Sequence, residues 1–96
     1  MKLRFTDTAL AEADEILSYI ARENETAAAQ VAAAIDRTLA AILKRPQSAP
    51  TVFQGQLRAK LVERYQYRVF YEIRGDEVIV RNIRSTKRLR PWEDER

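Results

Sequence analysis

Arg58, Lys60, Arg68, Arg81, Arg84, Lys87, Arg88 and Arg90 are crowded into the second half of this chain, interleaved with Phe70 and Trp92. Guanidinium forks and ammonium groups hold phosphate or carboxylate oxygens, and aromatic faces stack on bases or cover apolar surface. Such a set suits an anionic partner, either a nucleic acid or an acidic protein segment. Two simpler roles compete with it: Arg68 and Arg81 could balance Glu72 and other acids across strands, and Trp92 could plug an edge of the core. Cleaving RNA would further require a group to take the proton of a 2′-hydroxyl nucleophile, besides cations to hold charge developing on phosphate. The chain has neither His nor Cys. Zinc, haem, thiol and His-dependent chemistries therefore lack their ligands or their base, and we expect no metal and no cofactor.

The net charge of +3 is unevenly placed: residues 1–53 sum to −1, residues 54–92 to +6 and residues 93–96 to −2. Positive charge gathered in one half again points to an anionic partner. At 96 residues the chain reads as a single domain over 1–96, with room for one modest core. The start, "MKLRF", runs directly into "TDTALAEADE" and lacks the apolar stretch of a secretory signal. No segment is read as a membrane span, and a cytoplasmic location is expected.

Several elements must position these side chains. "KLRFT" alternates, with Leu3 and Phe5 on one side, as in a half-buried strand at an edge or centre. Asp7 or Thr8 can cap a helix running from about Thr8 to Arg22, with Leu10, Ala13, Ile16, Leu17 and Ile20 forming its apolar stripe. Glu12, Asp14 and Glu15 put negative charge in its early turns, where the helix dipole favours it. Asn24 can cap a second helix, in which Ala28, Val31, Ile35, Leu39 and Ile42 follow the helical period and Pro46 marks the stop. So short a link implies an antiparallel helical hairpin. The alanines of its second arm suit close packing. "PQSAPTVFQGQ" is read as a loop.

From Leu57 the pattern turns β-like, and Gly75-Asp76 separates two strand-like runs as a two-residue hairpin turn. An unbroken register would place Val69, Tyr71 and Ile73 beside Asn82, Val80 and Val78, facing the helices. Arg68, Phe70 and Glu72 would then lie beside Ile83, Arg81 and Ile79 on a mixed outer face. An antiparallel sheet covered by helices on one side leaves that face for a partner.

The order of elements, together with "YIAREN", "LKRP", "RAKLVE", "YRVFYEI", the Gly-Asp turn and the ending "IRSTKRLRPW", resembles the RelE/ParE family of toxins from bacterial type II toxin–antitoxin systems. The resemblance covers nearly the whole chain and implies an α+β fold: an N-terminal strand and a helical hairpin packed on a curved, mainly antiparallel sheet of about four strands. It also implies a cognate antitoxin, ParD-like with a ribbon-helix-helix start, whose acidic segment would fold on the toxin. For that contact the resemblance points to Arg68, Phe70, Ile79 and Arg81. RelE-like members cleave mRNA on the ribosome, and in that case Arg58, Lys60, Arg68, Lys87 and Arg88 would match the basic set. Trp92 stands near where such members carry a Tyr, and an indole N–H cannot serve as an acid–base group. ParE-like members inhibit DNA gyrase. "NETAAA" and the Pro-Trp ending are closer to this branch, with Arg84, Lys87, Arg88, Arg90 and Trp92 as target contacts. The chain is therefore read as a gyrase-binding inhibitor rather than an enzyme, with a metal-independent endoribonuclease acting on ribosome and mRNA as the alternative. "EDER" is read as a frayed end.

Overall fold

A computed structural model describes residues 1–88 and 90–93. Among these residues the elements are β1 (Lys2–Phe5), α1 (Asp7–Ala21), α2 (Glu25–Lys44), β2 (Thr51–Phe53), β3 (Leu57–Leu61), β4 (Tyr67–Arg74) and β5 (Glu77–Ser85). The strands form one sheet in the order β1-β5-β4-β3-β2, with β1 parallel to β5 and every other pair antiparallel. The α+β class stands, with one strand more than the sequence suggests. The additional strand, β2, lies inside the segment read as a loop. It is three residues long and partly exposed along its length, too short to show alternation, and is recruited by pairing with β3 rather than by its own pattern.

Thr6, rather than Asp7 or Thr8, caps α1, its hydroxyl accepting from the Ala9 amide at 3.1 Å. Leu10, expected in the buried stripe, is 53% exposed. The face that meets the core starts at Ala9 instead and runs, as expected, through Ala13, Ile16, Leu17 and Ile20. Asn24 caps α2 as expected, accepting from Ala27 N at 2.9 Å. α2 is, by length and composition, apolar enough to cross a membrane, which the sequence reading did not credit. Its alanines supply much of that hydropathy, and Val31, Ala34, Ile35, Leu39 and Ile42 are packed in the core.

Gly75 takes a positive φ of 57° at the first central position of the β4–β5 turn, the conformation glycine adopts without steric cost. From there the register follows expectation as far as Tyr71↔Val80 and then slips by one, so that Phe70 pairs with Asn82, Val69 with Ile83 and Arg68 with Arg84. A β-bulge at Arg81-Asn82 is the cause. It corrects the expected faces: Ile83 moves into the core at 1% exposure, and Asn82 leaves it. Val69, Tyr71, Val78, Val80 and Ile83 make the inner face under the helices.

Candidate functional site

The two faces of the sheet use their cations differently. Arg58 and Lys60 pair with Tyr71 and Val69 and so share the inner face, whereas Arg68 stands on the outer face with Phe70 and Glu72. The Arg58 guanidinium donates to the carbonyls of Ala49 (2.6 Å) and Gln47 (3.1 Å), pinning the chain that leaves α2. Tyr71 OH fastens the same segment by donating to Pro46 O at 2.6 Å. Burial pushes the Tyr71 phenol above its ordinary pKa, with the nearby Arg58 charge opposing in part. Lys60 sits where β3 outruns β2, between a recess beside α2 and the outer groove.

On the outer face Glu72 binds two cations, Arg81 at 2.6 Å and Arg74. Charge balance of Arg81 by Glu72 is thus realised. Arg4 lies 3.6 Å from Glu77 nearby. Phe70 and Ile79, expected as exposed apolar contacts, are instead only 3% and 9% exposed. The C-terminal segment supplies the cover over Phe70. Trp92 stacks on Phe53 with ring centroids 5.0 Å apart and meets Phe70 edge-on at 6.0 Å, while the Arg90 guanidinium lies 5.8 Å from the indole. Trp92 therefore closes a small aromatic cluster on the outer face rather than plugging the main core. The segment is braced by Arg90 N donating to Glu93 Oε1 and Glu93 N donating to Arg90 O. Glu93, expected to fray with the tip, is in this brace; residues 94–96 lie outside the described residues.

Two depressions flank this cluster. A cleft of about 360 Å³ runs between Phe53, Pro91 and Trp92 on one side and Glu72, Arg81, Asn82 and Arg84 on the other. A groove of about 510 Å³ has Val52, Ala59, Leu61 and Phe70 as its apolar lining and Lys60, Arg68 and Arg90 as its cations, with no acidic residue in its walls among the described residues. Lys87 and Arg88 project from the turn after β5 and are exposed. Arg84 differs from them. Its side chain is 9% exposed and its Nε donates to Glu12 Oε2 at 2.8 Å. The expectation of Arg84 as part of an open basic surface is corrected accordingly: the bulge and the absence of β1 beside this part of β5 let α1 reach it.

Glu12 is the residue that sequence reasoning missed. Its Oε1 accepts from Asn82 Nδ2 (3.0 Å) and Ile83 N (3.1 Å), and Arg88 Nη1 lies 3.9 Å from Oε2. The signal was present in its spacing, because Glu12 falls in the stripe of Ala9, Ala13 and Ile16 that packs on the sheet. Among the described residues there is no group of three or more His, Cys, Asp or Glu side chains placed to hold a metal ion.

The comparisons with known proteins bear on this arrangement. A family model described as the ParE toxin of the type II toxin–antitoxin system parDE matches residues 3–90. The chain belongs to the ParE toxin family. As a ParE-family toxin it carries, on the face away from its helices, the cationic and aromatic segment described above. Among solved structures it is similar to a chain of the chromosomal ParDE TA system from P. aeruginosa, with TM-score 0.73 and 21% identity over 88% of this chain and 95% of that one. At that identity the likeness speaks for the fold. No curated protein matches the chain.

Proposed function

We propose that this ParE-family toxin acts by binding and inhibiting DNA gyrase, and that a ParD-like antitoxin neutralises it in the cytoplasm. The observation that carries the choice of mechanism is the division of the basic residues by the sheet. An endoribonuclease of the alternative kind would need Arg58, Lys60 and Arg68 to converge on one phosphate. Arg58 is instead held by the Ala49 and Gln47 carbonyls on the inner side, and Arg68 stands on the outer. Trp92, near where a proton-transferring Tyr would stand, is stacked on Phe53 and has no acid–base capacity. A surface that binds has no such requirement. Lys87, Arg88 and Arg90 offer charge, and Trp92 offers an aromatic anchor of the kind that dominates interface energetics.

The antitoxin's acidic segment suits the groove walled by Lys60, Arg68 and Arg90, where charge complementarity would steer and orient it. Arg68 and Arg81 are the members of the expected antitoxin set that reach solvent. Phe70 would be met only if Trp92 moved aside.

Purified toxin added to relaxed plasmid, gyrase and ATP tests the reading. Blocked supercoiling or accumulation of linear DNA is the expected result, reversed by the antitoxin. Normal supercoiling at large toxin excess would reject gyrase as the target, and message cuts on programmed ribosomes would put the endoribonuclease in its place.

A further inference from the structure

β1 accompanies β5 only from Glu77 to Val80, and beyond that point no strand among the described residues lies along the β5 edge. α1 supplies the missing partners. Thr6 N donates to Val80 O at 3.0 Å, Thr6 Oγ1 donates to Arg81 O at 3.0 Å, and the Ile83 amide is taken by Glu12. A neutral acceptor would satisfy that amide and Asn82, just as a hydroxyl suffices at Thr6. Glu12 brings a charge as well, buried to 10% side-chain exposure, and burying a carboxylate is costly unless cations and hydrogen bonds surround it. Its second oxygen faces Arg84 at 2.8 Å and Arg88 at 3.9 Å. The charge is therefore directed at the root of the segment that carries Lys87, Arg90 and Trp92.

The pairing also resolves a local conflict. Arg68 and Arg84 are direct cross-strand partners, and like charges so placed repel. Glu12 draws Arg84 to the open edge of β5. Arg88 stays half-exposed on the other side of the same carboxylate, able to face a partner while its direction is set from α1.

We propose that Glu12 is a positioning residue for target binding: its carboxylate, through Arg84 and Arg88, fixes how the C-terminal basic segment leaves the sheet. The proposal rests on reading that segment as the target contact. A double-mutant cycle on gyrase supercoiling, with relaxed plasmid and ATP, tests it. Glu12→Gln keeps an acceptor for Ile83 N but withdraws the charge, and should lose about tenfold in inhibitory potency per folded molecule. Arg88→Ala should lose about the same. If Glu12 acts through Arg88, the double variant loses about tenfold again, not a hundredfold, while the drops in urea midpoint come close to adding, because the 3.9 Å pair is half-exposed and couples stability only weakly. A purely structural Glu12 would shift the midpoint without this coupling.

Independent, multiplying losses overturn the proposal, as does full potency of a folded Glu12→Gln. Should Glu12→Gln fail to fold, full potency of folded Arg84→Ala and folded Arg88→Ala overturns it, since neither arginine facing Glu12 would then direct the segment. Wild-type toxin that arrests growth without inhibiting gyrase would defeat the gyrase reading instead. The same cycle read on growth arrest then decides the positioning claim by whether the two losses coincide or multiply. A wild type that does neither overturns both.

Discussion

The sheet has one face closed by helices and one face closed by its own C-terminal segment. On the inner face Val69, Tyr71, Val78, Val80 and Ile83 are almost without solvent contact, and of the two cations on that side, Arg58 is tied to backbone carbonyls while Lys60 sits at the margin. On the outer face Arg68, Arg81 and Arg90 remain near solvent, and the aromatic cluster is held by a few stacked rings. A densely packed core gives stability; a cover that rests on one ring, Trp92, set over Phe53 and Phe70 is the easier of the two to exchange for a partner's surface. Substitutions should therefore separate cleanly, those on the inner face lowering stability and those on the outer face lowering partner binding.

The largest stability effect is expected at Ile83. Ile83→Ala deletes a fully buried side chain, and should cost about 3 kcal/mol in a urea titration, with inhibition per folded molecule unchanged. A variant that stayed as stable as wild type would mean that the inner face is not the core. Trp92→Ala removes the outer cluster's centre and should cost about 1.5 kcal/mol while nearly abolishing inhibition. The opposite pattern, lost helical circular dichroism with no specific loss of inhibition, would make Trp92 a structural residue and erase the distinction between the faces.

Tyr71→Phe should cost about 1 kcal/mol, because Pro46 O loses its donor. It also has a signature in pH. The Tyr71 pKa is raised in the folded state, so the folded protein holds this proton more tightly than the unfolded chain does. The stabilisation is full below the ordinary tyrosine value of about 10 and is lost as pH rises through the folded value. Denaturant midpoints followed from pH 8 into the alkaline range should fall less steeply for Tyr71→Phe than for wild type. Arg68→Ala should have the smallest effect on stability, under about 0.5 kcal/mol, yet weaken antitoxin binding roughly tenfold by calorimetry, about 1.4 kcal/mol. Unchanged affinity would move the antitoxin off the Lys60–Arg68–Arg90 groove.

Much of this architecture could be read from the residues. The second helical stripe, the Asn24 cap, the Pro46 stop and the Gly75 turn are local signals that stand where their side chains predict, and the first stripe does so except at Leu10, whose place Ala9 takes. Long-range features were harder. The bulge at Arg81-Asn82 exchanges Ile83 for Asn82 in the core, and its trace is the spacing of three from Val80 to Ile83, with two polar residues between, where strict alternation needs two. Glu12 looked like one of three acids favoured by the helix dipole. Only the tertiary fold, which ends β1 at Phe5 and leaves the β5 edge open, turns it into the partner of Arg84 and Arg88. Trp92 was recognisable as unusual, but its pairing with Phe53 needed β2, a strand without a pattern of its own.

The central claim is that the C-terminal segment on the outer face engages gyrase while the rest of the molecule serves as its scaffold. Gyrase supercoiling by the full chain and by a chain ending at Arg88, each verified as folded by helical circular dichroism, tests it most directly. The account predicts that the full chain blocks supercoiling and the shortened chain, with its helices intact, does not. Equal inhibition by both chains would contradict it.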